Sequence, residues 1–242
     1  FKGFYFLDIE GNSSDKEKAR KYGEFAEILT PLVKGYGSEA SLGVIAQAIQ
    51  ILGGVGYSSE YPVEQYLRDS KILTIWEGTT FIHANDLIGR KMRMKDGVPF
   101  TNWMVSVKEF IDANIQTKGF EKEMKNLTKG FEALSEVKNT FDSWYANMDT
   151  KRQLIPLYAL RALFVCAQVY VSYCLMEQAL IAAKKLSEKK KGTRDAIYYE
   201  GKIASARYYL NNILPQAFLT AELIKSEEDI VLTCPEESLL II

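Results

Sequence analysis

Leu42-Gly43-Val44-Ile45-Ala46-Gln47-Ala48-Ile49-Gln50-Ile51-Leu52-Gly53-Gly54 is the stretch on which the fold turns. Leu42, Ile45, Ile49 and Leu52 recur at intervals of three and four, the spacing that lines one face of an α-helix. The paired glycines then stop the helix. The same periodicity dominates in both directions along the chain, and strand-like alternation is scarce.

Upstream, Phe1 to Leu7 reads as the apolar face of a helix already under way. It has no initiator Met and no basic region ahead of an apolar run, so the chain is expected to be cut from something longer. A turn at Glu10–Ser14, whose serines can cap the next helix, leads into a helical stretch expected over Asp15–Lys34. Phe25, Ile28, Leu29 and Leu32 share one side of it, Pro31 is placed to kink it or to move its end forward, and Gly35-Tyr36-Gly37 permits a break or a bend. Downstream of Gly54 come a loop, a short helix over Val63–Ile72 and a connection containing Trp76-Glu77-Gly78-Thr79. A helix over Thr80–Met92, capped by Thr79 or Thr80, comes next. Met94 to Pro99 breaks the pattern and is placed as the boundary between domains 1–95 and 96–242. Helical segments at Phe100–Thr117, Glu121–Asn147, Arg152–Lys189 and Thr193–Ser226 then predict an antiparallel bundle, with Pro215 kinking the last. Ile230 to Ile242 is apolar without helical spacing and is expected to lie against this bundle or another subunit. The fold class is therefore all-α, one helical bundle followed by a second.

Composition narrows the chemistry. The 242 residues are 25% charged and 47% hydrophobic, with a formal net charge of −1, which gives no electrostatic reason to expect nucleic acid or an anionic membrane. Ala162 to Met176 carries no formal charge but is too short for a membrane span and reads as a buried helix. Cys166, Cys174 and Cys234 are too few and scattered for a disulfide framework, which suits a reducing, cytoplasmic setting. His83 is the only histidine, which excludes a multi-histidine metal site; no metal is expected. No GxxxxGK[ST] loop appears, and no GxGxxG follows a strand. Glu64 and Arg68 have the spacing of an ion pair, and the lysine-rich run at 184–191 reads as a solvated helix end.

Residues 50–80 read QILGGVGYSSEYPVEQYLRDSKILTIWEGTT. Gln50 ahead of Gly53-Gly54, then Tyr57, Glu60-Tyr61-Pro62-Val63-Glu64, Arg68-Asp69 and Glu77-Gly78-Thr79 closely resemble the C-terminal signature of acyl-CoA dehydrogenases. Asp86 to Lys91 and the helical extension after it resemble the longer members of that family. The resemblance implies an acyl-CoA dehydrogenase C-terminal helical bundle with an appended bundle, and FAD as cofactor. It implies that Glu77 takes the α-proton of an acyl-CoA thioester while hydride passes to flavin N5. The Glu77 backbone N–H would help hold the thioester oxygen, and Gly78 and Trp76 would border the substrate. It also implies cofactor contacts from Gln50, Ile51, Leu52, Gly53 and Gly54, usually across a subunit interface, and from Thr79, Thr80 and Phe81. Because residues 50–54 close a helix C-terminus, whose dipole disfavours phosphate, their contact is expected on the adenosine part. Trp76 and Phe81 depart from the family's usual tyrosine and amide residues. The implied partners are an electron-transfer flavoprotein and a second copy in a homodimer or other homo-oligomer. An acyl-CoA oxidase on the same scaffold and a non-catalytic helical assembly module are the alternatives. The chain by itself is expected to be colourless and inactive.

Overall fold

The computed structural model describes residues 1–239, and every regular element among them is helical. The expected apolar tail runs on into residues 240–242, which lie outside the described residues. Two compact units, 1–114 and 115–242, make up the chain.

In the first unit, α1 (Lys2–Asn12) packs against α2 (Lys16–Pro31). Phe6 sits with its ring 5.0 Å from Tyr22 and 5.8 Å from Phe25. The Glu10 side chain lies over Gly23, where a Cβ would stand 2.3 Å from Glu10 Oε1. The cap of α2 is Asp15, whose Oδ1 accepts from the Glu17 and Lys18 amides. The expected serine cap is not formed; Ser13 instead accepts from the Asp15 amide.

Pro31 does not end the helix. A wide π-turn at Leu32–Tyr36 carries the chain straight into α3 (Gly37–Leu52). The break permitted by Gly35-Tyr36-Gly37 is not realised, because Gly35 is buried and Ser38 Oγ donates to the Lys34 and Gly35 carbonyls. A proline has no N–H to give the carbonyl four residues back, and widening the next turn keeps the helix continuous despite that lost bond.

Next come α4 (Gly54–Tyr57), α5 (Val63–Ile72) and α6 (Thr80–Asn85). A second π-turn, Asp86–Lys91, comes directly after α6. Glu64 and Arg68 on α5 form the expected ion pair at 2.8 Å. Lys91, almost wholly buried, reaches Glu27 on α2 at 2.6 Å. At 95–97 the backbone turns left-handed at Lys95, Asp96 and Gly97, so the expected interruption is present. The helix beyond it, α7 (Val98–Asn114), still packs on α2 inside the first unit, bringing Phe100, Trp103 and Val107 into the core.

The second unit is built on α8 (Glu121–Ala146), α10 (Leu154–Leu186), α11 (Arg194–Tyr208) and α12 (Pro215–Lys225), with α9 (Met148–Lys151) in the connection after α8. Helix α10 is long and apolar enough to cross a membrane by length and composition. Its most apolar window is 67% buried within the protein, which is how the central helix of a bundle reads. Cys166 lies fully inside it, and burial pushes its thiol up to about 12. A third π-turn, Tyr209–Ile213, stands directly before Pro215, so that proline opens α12 at its first position instead of kinking a single helix. Asn126 on α8 donates to the Leu210 carbonyl of that turn at 3.1 Å. Asn211 in turn donates to the buried Glu123 at 2.8 Å.

After α12 the chain is tied back to α8 and α10. Trp144, fully buried, donates from Nε1 to Glu227 Oε1 at 2.7 Å, and Lys151 pairs with the other carboxylate oxygen. Tyr158 donates to the Glu228 carbonyl at 2.8 Å. Two single-turn helices, α13 (Ile230–Thr233) and α14 (Glu236–Leu239), come last.

The Lys151 and Trp144 donors hold the Glu227 carboxyl below the usual carboxylate range. Its stabilising contribution is therefore complete above the unfolded value of about 4.3 and is lost as pH falls through the lower folded value. Glu227→Gln should lower the denaturant midpoint at neutral pH. The gap to the wild type should close on acidification below about pH 4, as read by urea titrations at several pH values.

Candidate active site

The residues with most chemistry lie on the loop between α5 and α6. Thr80 N bonds Thr74 O at 3.2 Å, closing the loop at its neck. Thr79 caps α6, accepting from the Ile82 amide at 3.4 Å. At the tip, Glu77 has φ +52 and Gly78 has φ +100, so the chain reverses through two left-handed residues. The second of these needs glycine: a Cβ on Gly78 would also stand 3.2 Å from His83 Nε2.

Side chains from other elements hold the loop's carbonyls. Lys34, on the first π-turn, donates from Nζ to Leu73 O at 2.5 Å and Gly78 O at 2.9 Å. His83 Nε2 lies 3.2 Å from Glu77 O, and since a carbonyl only accepts, that nitrogen carries the proton. Thr80 is turned inward and buried, and its hydroxyl donates to Glu39 Oε1 on α3 at 2.6 Å.

The loop's acid and three of its amides are left without partners. The Glu77 carboxylate is exposed and has no hydrogen bond or ion pair among the described residues. The amides of Glu77, Gly78 and Thr79 likewise donate to nothing among them. Successive free N–H groups in a left-handed turn form a concavity suited to an oxyanion. Trp76 (51% exposed) and Phe81 flank this face.

The Gln50–Gly54 segment forms the far end of α3. Gly53 is its C-cap, with φ +64, and a Cβ on Gly53 or Gly54 would meet nothing within 4 Å. Gln50 is exposed, Ile51 is 85% exposed and Leu52 partly so. Bare backbone beside a free amide suits close approach by a flat polar ring. A helix C-terminus suits phosphate poorly. These features fit the adenosine portion of a dinucleotide. The segment is about 16 Å along the helix axis from Glu39, which contacts the Thr80 end of the loop. The two sets of expected cofactor residues therefore stand apart within one chain.

Lys34, Glu39 and His83 were not expected at this site. Their partners lie 44, 41 and 6 residues away in sequence, at Gly78, Thr80 and Glu77. Only the short His83 interval leaves a local signal, since it stands one turn into the helix that Thr79 caps.

Comparisons with known proteins agree with this architecture. Residues 14–92 match the family model for "Acyl-CoA dehydrogenase, C-terminal domain", and residues 103–235 match "Acetyl-CoA dehydrogenase C-terminal like". A butyryl-CoA dehydrogenase of Syntrophomonas wolfei is 35% identical over 99% of this chain and 39% of its own length. The broad-specificity linear acyl-CoA dehydrogenase FadE5 of Mycobacterium tuberculosis is 30% identical over 87% of this chain and 35% of its own. An acyl-CoA dehydrogenase from Bacillus anthracis, solved in complex with FAD, has a similar fold. It superposes with a TM-score of 0.67 at 18% identity, covering 94% of this chain and 40% of that one.

The chain belongs to the acyl-CoA dehydrogenase family and corresponds to its C-terminal helical region. It spans less than two fifths of the length of these two curated relatives.

Gly78→Ala should destabilise the protein by about 1–3 kcal/mol, the cost of a side chain held in a left-handed backbone region, with further crowding at His83. Thermal melts read the loss. An unchanged midpoint would mean that the turn is not as described.

Proposed function

We propose that this chain carries the base of an FAD-dependent acyl-CoA dehydrogenase, with Glu77 removing the α-proton of an acyl-CoA thioester. The observation that carries the reading is the polarity of the 74–80 loop. Its carbonyls at 73, 77 and 78 are engaged from behind, whereas the Glu77 carboxylate and the 77–79 amides are free. A base and an oxyanion site on one short loop are what proton abstraction next to a thioester carbonyl requires.

In the proposed reaction Glu77 accepts the α-proton on a carboxylate oxygen. The Glu77 amide donates to the thioester oxygen as enolate-like charge develops there. Gly78 lets the thioester approach the backbone, and entry of the acyl chain beside Trp76 strips water from the carboxylate. Bound FAD supplies the acceptor for the β-hydride. When bound, FAD would be held by Thr79, Thr80 and Phe81 and, with a second copy, by Gln50, Ile51, Leu52, Gly53 and Gly54 on its adenosine part; the Thr80 hydroxyl is already given to Glu39, which leaves its backbone for that role. The separation of the two segments along α3 supports that division. An electron-transfer flavoprotein is the proposed electron acceptor.

In the full-length enzyme, Glu77→Gln should slow anaerobic flavin bleaching by a series of linear acyl-CoAs by roughly 10²–10⁴-fold, the usual loss for a missing general base. FAD content should stay at the wild-type level. Near-normal bleaching by a flavin-loaded Glu77→Gln protein would refute the assignment.

A further inference from the structure

We infer that Lys34 is a positioning residue for the proton-abstracting loop, acting through the two carbonyls that it bridges; this rests on the reading of Glu77 as the base. A single ammonium spans Leu73 O, at the end of α5, and Gly78 O, one residue beyond Glu77. It thereby clips together the two ends of the segment that carries the carboxylate. Among the described residues Lys34 has no acidic partner, so these carbonyl dipoles are what hold its half-buried charge. Hydrogen bonds from a charged donor are about twice as strong as neutral ones, which suits a clamp on a loop with two left-handed residues.

Direction matters as much as strength. In a trans peptide the N–H points opposite to the C=O, and no peptide bond here is cis. Holding Gly78 O toward Lys34 therefore turns the Thr79 amide away from it. Holding Glu77 O toward His83 does the same for the Gly78 amide. Both peptide planes after the base are set by side chains behind the loop, which leaves their donors on the open face beside the carboxylate.

The π-turn is what supplies this lysine. Inserting one extra residue into a helical turn rotates the downstream residues by about 100°. Lys34 sits within that turn, on a long rod whose remaining length is ordinary α-helix. Wide turns inside α-helices recur at functional sites, where they re-aim a side chain. Here the re-aimed group is the one that reaches the loop.

The test compares Lys34→Met and Lys34→Arg with wild type in two measurements. In the 242-residue chain, exchange of the hydrogen-bonded amides of Thr74, Ile75, Trp76 and Thr80 should rise about tenfold or more in Lys34→Met, with α3 and α7 unchanged. In the FAD-loaded full-length enzyme, Lys34→Met should lower kcat by roughly 10–100-fold, the scale of a slight misplacement of a reacting group. KM and flavin content should hold, and Lys34→Arg, which keeps the charge and donors, should recover much of the rate. Should Lys34→Met not fold, Lys34→Gln carries the same test. Unchanged loop exchange overturns the proposal, as does a kcat loss matched by loss of flavin and not relieved by arginine. Glu77→Gln, run in parallel, separates the two ideas. Full activity there removes the base assignment, whereas a dead Glu77→Gln beside an unaffected Lys34→Met removes only the clamp.

Discussion

Proline cannot donate a backbone hydrogen bond, and at position 31 that constraint falls in the middle of the longest rod of the first unit. The chain answers by opening one turn, not by stopping. The Lys34 contacts at the candidate site come from that turn. The wide turn keeps α2 and α3 continuous, buries Gly35, and sends Lys34 out to the loop that carries Glu77. Pro215 stands just beyond the third wide turn, where Asn126 donates to the Leu210 carbonyl. In both places a lost backbone bond coincides with a polar side-chain contact that an ideal helix would not make.

The loop illustrates how side chains from elsewhere in the fold can set the direction of a backbone segment. Its carbonyls at 73, 77 and 78 are held by Lys34 and His83, and its amides at 77, 78 and 79 are left free. Because each peptide plane has fixed geometry, securing one side orients the other at no cost during reaction. The second unit uses its polar contacts differently. Trp144, Tyr158 and Lys151 converge on Glu227 and Glu228, and Asn126, Asn211 and Glu123 form a chain. These bonds fasten the chain after α12 and the third wide turn to the bundle; they are architecture.

Local interactions were legible in sequence. Helix α5 begins and ends where its pattern placed it, and its Glu64–Arg68 pair follows from i,i+4 spacing. Thr79 caps α6 as its position before a helix suggests. The cap of α2 was misplaced onto serines because Ser and Asp compete for that role on propensity alone. The neighbouring Asp15 carboxylate takes both amides. Gly35-Tyr36-Gly37 permits a break or a bend because glycine weakens a helix, yet the chain stays helical there with Gly35 buried.

The sequence by itself determined an all-helical chain, its family signature and the carboxyl group at 77, because those rest on short-range periodicity and on residue identities at fixed spacing. Only the tertiary structure decided which way the Glu77 loop faces, since that depends on Lys34 and Glu39, side chains about forty positions away from the atoms they hold. A one-dimensional pattern records which groups can bond; it does not record which distant carbonyl a wide helical turn will bring within reach.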